Sequence, residues 1–318
     1  MTARLSDDCF VLDKDRLPHR EALAILKSRV GPVVEAEDIR LAGATGRFLA
    51  APILAPRRIP AHDNAAVDGY AFCYAAYDKD KGAKLGVAGQ AAAGHPFDTV
   101  PPTGSAVRIF TGAVMSSGLD TVAMQEDVRV ERDGEQVVVV IPPGLKQGAN
   151  RRLAGEDAKE GAVLAKTGAR LRPQDVAAAA ATGLDTLSCY APLRVAIFST
   201  GDEIVAPGEA FEPGKVFDAN APMLEGLVRA AGANPTYLGI LPDKAEQVTA
   251  SLRDASRNYD AVILSGGASQ GVEDHVVRSL DALGKRHLWQ IAIKPGRPMS
   301  FGQIGDSVVL GQIGRAHV

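Results

Sequence analysis

The chain has 318 residues, 46% of them hydrophobic and 23% charged, with a formal net charge of -3. That length allows two or three domains with a substantial core. The balanced charge excludes the strongly basic face that nucleic-acid binding requires. The cysteines Cys9, Cys73 and Cys189 are scattered. They form neither a zinc pattern nor a disulfide framework, so a reducing cytoplasm is expected. The first residues lack the apolar run of a signal peptide. No apolar stretch is long enough for a membrane-spanning helix; Val176–Thr182 is alanine-rich but short.

In chain order, Leu23, Leu26 and Val30 recur at helical spacing after Pro18, and Ile39 to Leu49 repeats that pattern less cleanly. From Ile53 to Pro142 the texture is that of a small β domain. Leu85–Ala88, Ala106–Phe110, Thr121–Met124 and Val137–Ile141 are short apolar runs separated by glycine and proline. Arg170 to Ala181 predicts a helix, with Pro173 suited to its first position. From Leu193 the pattern becomes βαβα. Strands are predicted at Val195–Ser199, Thr236–Ile240 and Ala261–Ser265, with helices at Ala221–Ala231, Lys244–Ser256 and Val272–Leu283. Such alternation implies a doubly wound, mostly parallel sheet. Ile291–Ile293, Met299–Gly302 and Val308–Leu310 read as further strands joined by tight turns.

Four groups of residues offer chemistry. The first is Asp63-Asn64-Ala65-Ala66-Val67-Asp68-Gly69-Tyr70, two carboxylates flanking a turn. It is either a site or plain turn chemistry, in which Gly69 relieves the backbone. The second, Arg108-Ile109-Phe110-Thr111-Gly112, offers a hydroxyl at a strand end, and taken alone it reads as structural. The third is a pair of strand-end loops. Ser199-Thr200-Gly201-Asp202-Glu203 follows one apolar run, and Ser265-Gly266-Gly267-Ala268-Ser269-Gln270-Gly271-Val272-Glu273-Asp274 follows another.

In open parallel sheets ligands bind at strand carboxyl ends. Glycines there let the backbone approach a phosphate, and carboxylates can hold a hard cation. Asp202 and Glu203 equally suit a helix cap, and Asp218-Ala219-Asn220 either caps the next helix or adds ligands to the same edge. The fourth group is Lys294-Pro295-Gly296-Arg297-Pro298, two cations on a rigid turn. It suits an anion, or is simply a solvated hairpin. A Walker loop, a dinucleotide fingerprint and a nucleophile elbow are all missing. The histidines show no metal-ligand spacing; only His275, beside Asp274, lies in a candidate site.

Together these segments, with Gly155-Glu156-Asp157 and in this order, resemble the molybdopterin molybdenumtransferase family, the bacterial MoeA proteins and the gephyrin E domain. The resemblance runs from about residue 15 to Gly311. It implies a multidomain α/β fold. An elongated helical region (residues 15–52 with 145–190, the dimerisation part) carries an inserted β domain (53–144) and precedes the doubly wound molybdopterin-binding domain (191–311). It implies insertion of molybdate into adenylated molybdopterin, releasing AMP and molybdenum cofactor with Mg2+, in a cytoplasmic homodimer fed by a molybdopterin adenylyltransferase. No nucleic acid or membrane partner is implied.

On that model Asp63, Asp68 and Thr111 reach across the dimer interface to the partner's site. Glu203 and Asp274 hold the metal and position the adenylate phosphate, while Lys294 and Arg297 stabilise oxyanion charge. Thr200, Gly201, Asp202, Asp218, Asn220, Ser265, Gly266, Gly267, Ser269, Gly271, Pro295 and Gly296 line the ligand. The family commonly has lysine where this chain has Arg297. Its pattern also stops after Gly311. Gln312–Val318 is expected to be a non-native tail, encodable by a widely used short-read sequencing adapter, with the family's C-terminal β domain absent. The alternative function is a remnant that binds molybdopterin or a nucleotide without turnover. A peptide-binding scaffold has no support in the sequence. The adenylylating companion enzyme resembles only Leu193 to Gly311.

Overall fold

The computed structural model describes residues 18–29, 31–266, 275–290 and 298–312. The chain divides into two compact units. One is Ile39–Leu187; the other combines Met1–Asp38 with Ser188–Val318.

The first unit is built on a six-stranded sheet in the order Thr121–Met124, Gly69–Phe72, Ser105–Ile109, Ala83–Ala91, Gln136–Ile141, Arg129–Asp133. Its pairs are antiparallel except Ala83–Ala91 with Ser105–Ile109, which is parallel. The apolar runs are continuous because both faces are covered. Ala71, Val107, Ile109 and Val122 pack on one face; Tyr70, Phe72, Ala106 and Val139 pack on the other. Gly69 opens its strand because a Cβ there would collide with the carbonyl oxygen of Ala123 on the next strand. Close backbone approach, not turn geometry, therefore requires this glycine. Short antiparallel pairs tie residues beyond the sheet back to its start: Asn64–Ala65 with Arg151–Arg152, and Ile53–Leu54 with Val163–Ala165.

The helix expected over Ile39 to Leu49 does not form. Ala36–Arg40 is a strand and Leu41–Gly43 a single 3-10 turn. Gly43 and Gly46 weaken any helix there, and Gly46 adopts a φ of 84°. The backbone is instead bonded to a later segment: the N–H groups of Gly46 and Leu49 donate to the carbonyls of Leu171 and Ala169. The helix Pro173–Ala181 forms as expected, with Pro173 in its first turn and Asp175 accepting the Arg172 N–H at 2.9 Å.

The second unit holds a six-stranded sheet in the order Asn234–Leu241, Arg194–Thr200, Ala261–Ser265, Ser307–Gln312, Pro298–Ile304, Lys285–Gln290. The first four are mutually parallel, Pro298–Ile304 runs antiparallel to them, and Lys285–Gln290 pairs antiparallel with Pro298–Ile304. Along Arg194–Thr200 the side chains alternate between two cores. Val195 and Ile197 meet Leu224 and Val228 of the helix Asn220–Ala230. Ala196 and Phe198 meet Val248 and Leu252 of Ala245–Asn258, and Val276 and Leu280 of His275–Leu283. Helices on both faces make this the doubly wound sheet that the βαβα pattern predicts. Among the described residues no helix is long and apolar enough to cross a membrane.

Candidate functional site

At the carboxyl edge of the doubly wound sheet, two neighbouring strands end in register, Ser199 beside Ser265. Their loops leave with backbone angles that favour glycine: φ is 134° at Gly201 and 105° at Gly266. A Cβ on Gly266 would collide with Thr200 Oγ1 and lie 2.9 Å from Thr200 O, while one on Gly201 would run into the Glu203 carboxylate. The Thr200 hydroxyl donates to the Ser265 carbonyl at 3.3 Å, and Asn220 Nδ2 donates to Ser265 Oγ at 2.7 Å. Thr200, Gly201, Asn220, Ser265 and Gly266 are thus brought together.

Asp202 and Asp243 exchange hydrogen bonds between two strand-end loops. The Asp243 N–H donates to Asp202 Oδ1 at 3.1 Å, and the Asp202 N–H to Asp243 Oδ2 at 3.5 Å. No helix follows Glu203; the chain passes into the two-residue strand Ile204–Val205, paired with Val216–Phe217. Capping therefore does not explain these acids, and the Glu203 side chain is exposed at the edge.

Asp218 is the reverse case. It is 4% exposed and its oxygens are engaged. Ser199 Oγ donates at 2.6 Å and Tyr237 OH at 2.9 Å to Oδ2, while the Ala221 N–H donates to Oδ1 at 3.0 Å. The last bond caps the helix that starts at Asn220. Tyr237 escaped the sequence reading because one tyrosine on an edge strand carries no motif. Burial, with Asp218 beside it, pushes its phenol up to about 12. Gly267, Ser269, Gly271, Asp274, Lys294, Pro295, Gly296 and Arg297 lie outside the described residues.

In the other unit, strands Gly69–Phe72 and Ser105–Ile109 run antiparallel with Gly69 opposite Ile109. Their ends bring Asp68 to Thr111. The Thr111 N–H and hydroxyl both donate to Asp68 Oδ1, at 2.8 and 2.7 Å. These bonds, aided by the charge of Arg108, hold the Asp68 carboxyl below its ordinary value. Asp63 accepts the Ala154 N–H at 2.8 Å and lies 3.5 Å from Arg151 Nη1. It lines a cavity of about 340 Å³ with Arg58, His62, Ser116 and Ser117.

Two arginines here were missed. Arg151 faces Asp63, and Arg152 binds both acids of the Gly155-Glu156-Asp157 motif, Glu156 at 2.5 Å and Asp157 at 2.7 Å. The adjacent Arg-Arg dipeptide was the available signal.

The strand-end edge offers hydroxyl and amide donors beside exposed carboxylates, a set that can orient a phosphorylated ligand and share a cation with it. Among the described residues no group of three or more acidic, histidine or cysteine side chains is gathered for a metal. Mg2+ commonly takes one or two protein carboxylates and completes its shell with water and phosphate oxygens. Glu203 is a carboxylate of the right kind.

Residues 17–183 match the model of the MoeA N-terminal region (domain I and II), and residues 196–313 match that of a probable molybdopterin binding domain. The chain belongs to the MoeA family. Among MoeA relatives, the molybdopterin molybdenumtransferase of Haemophilus influenzae is 36% identical over 87% of this chain and 67% of its own length. That of Nostoc is 37% identical over 84% of this chain and 61% of its own. The chain thus spans about two thirds of these relatives' length. The crystal structure of a molybdopterin biosynthesis MoeA protein from Pyrococcus horikosii superposes with a TM-score of 0.77 at 30% identity, covering 93% of this chain and 74% of that one.

Proposed function

We propose that this MoeA-family chain is a molybdopterin molybdenumtransferase. It inserts molybdate into adenylated molybdopterin, releasing AMP and the molybdenum cofactor with Mg2+. It acts in the cytoplasm as a homodimer, downstream of a molybdopterin adenylyltransferase. The observation that carries this reading is the strand-end edge where Thr200, Asn220, Ser265 and Gly266 converge, inside the segment that matches a molybdopterin binding domain.

The physical task is electrostatic, since a molybdate oxyanion must approach a ligand that is already anionic. Donors fixed before the ligand arrives stabilise developing charge without reorganisation. The Thr200 and Asn220 contacts with Ser265 fix that edge, and Gly266 itself is packed against Thr200. Glu203 and Asp274 are assigned to the cation, and Lys294 and Arg297 to the oxyanion. Mg2+, when bound, neutralises phosphate charge. Asp218 acts from beneath the edge, capping the helix that presents Asn220. Asp63, Asp68 and Thr111 are assigned to the ligand bound by the partner protomer.

The test is to incubate the purified chain with adenylated molybdopterin, molybdate and Mg2+, and to follow AMP by chromatography. Molybdate-dependent AMP release is expected. Binding of adenylated molybdopterin without AMP release would replace the transferase with a non-catalytic binding remnant.

A further inference from the structure

We infer that Asp68 Oδ2 and Thr111 Oγ1 form a subsite for the hydrogen-bond donor edge of a pterin ring. The inference rests on the proposed handling of molybdopterin and specifies which part of that ligand these residues read. Both Thr111 donors end on the same oxygen of Asp68, the N–H at 2.8 Å and the hydroxyl at 2.7 Å. An ionised carboxylate oxygen has two lone pairs, so Oδ1 is filled, whereas Oδ2 accepts from no described residue. The single hydroxyl proton of Thr111 is committed to Asp68, which leaves Oγ1 only its acceptor capacity. Thr111 is exposed and Asp68 half-buried, so a ligand can reach both.

Arg108 does not reverse the polarity of this corner. Its guanidinium is held 4.9 Å from the Tyr70 ring centroid and 5.0 Å from that of Phe110, and Nη2 donates to Gln125 Oε1 at 2.5 Å. It supports the charge on Asp68 while its own geometry is fixed elsewhere.

The pair therefore presents acceptors alone. Molybdate and phosphate are acceptors too, and Asp68 repels them. The matching ligand group brings adjacent donors, as the 2-amino group and ring N3–H of a pterin do. A divalent cation also seeks acceptors, but one carboxylate oxygen and one hydroxyl are a sparse shell, and no metal-gathering cluster occurs among the described residues.

The experiment is a fluorescence titration of the full chain with pterin and with lumazine, which carries a carbonyl in place of the 2-amino group. Saturable pterin binding is expected, with lumazine about tenfold weaker or more. Asp68→Asn and Thr111→Val should each weaken pterin binding by about 10- to 100-fold, the range for a hydrogen bond to a charged group. Thr111→Ser should restore it, and circular-dichroism melts establish that each variant is folded. If Asp68→Asn fails to fold, the Thr111→Val and Thr111→Ser pair decides.

The inference is overturned by no saturable pterin binding, by equal affinity for pterin and lumazine, or by folded variants that bind pterin like the parent. Mg2+ that displaces pterin from the parent through Asp68 would make the corner a cation site, and would overturn it equally. AMP release with Asp68-independent pterin binding removes this inference and leaves the transferase. Asp68-dependent pterin binding without turnover does the opposite.

Discussion

Replacing Tyr237 by phenylalanine removes one donor from a buried carboxylate and leaves the ring in place. Asp218, 4% exposed, then keeps Ser199 Oγ at 2.6 Å on the same oxygen and the Ala221 N–H at 3.0 Å on the other. A hydrogen bond to a charged group contributes about 1.5–3 kcal/mol. With Ser199 retained we expect a loss of about 2 kcal/mol at neutral pH. For a unit of this size each kcal/mol moves the melting temperature by about 2–4 °C, so a drop of about 4–8 °C follows.

The pH dependence supplies a second signature. The phenol sits at about 12 in the folded chain against 10.0 ordinarily, so the native state keeps a proton that the unfolded state releases. That stabilisation is complete below the unfolded value and is lost as pH rises through the folded one. Urea melts of parent and Tyr237→Phe across this range should show the stability gap closing toward alkaline pH. Equal stability at neutral pH, or a gap that persists unchanged at the alkaline end, would refute the reasoning.

Gly266→Ala combines a φ of 105° with a collision at Thr200; backbone strain alone costs about 1–3 kcal/mol. Weaker binding of adenylated molybdopterin in calorimetry, with lower stability, is the expected result. Gly69→Ala should separate the strands at Ala123 and lower the unfolding free energy measured by urea melts by about 1–3 kcal/mol. Asp175 is held at about 2 by hydrogen bonds from the Arg172 side chain and backbone. Its contribution is full above the ordinary 3.8 and fades as pH falls through about 2. Asp175→Asn should therefore flatten the acid limb of stability measured by circular dichroism.

The βαβα half was legible because its signal is local: apolar runs of strand length alternate with helical patterns, and glycine marks the boundaries. The β runs Thr121–Met124 and Val137–Ile141 were legible for the same reason. Ile39 to Leu49 misled because its apolar spacing is helical, while its backbone partners sit near Leu171, far along the chain. Gly69 was assigned to turn chemistry because the carbonyl that demands it, at Ala123, belongs to another strand. The pairing of Asp68 with Thr111 spans 43 residues and follows from strand register, which no spacing rule encodes. Asp218 looked equally like a cap and a ligand, and only the buried Ser199 and Tyr237 donors separate its structural duty from ligand contact.

The unit that carries the doubly wound sheet is assembled from two stretches of chain separated by all of Ile39–Leu187. Its opening stretch includes the Glu35 carbonyl, which accepts a hydrogen bond from the Ala191 N–H. During vectorial synthesis at about 5–20 residues per second, that early stretch waits on the order of 10–30 s for its later companion. The intervening unit is synthesised during that interval and is complete in sequence at its end, before the later companion follows. The β unit is therefore expected to be native on the ribosome first, with the opening helix His19–Arg29 exposed meanwhile to chaperones and proteases.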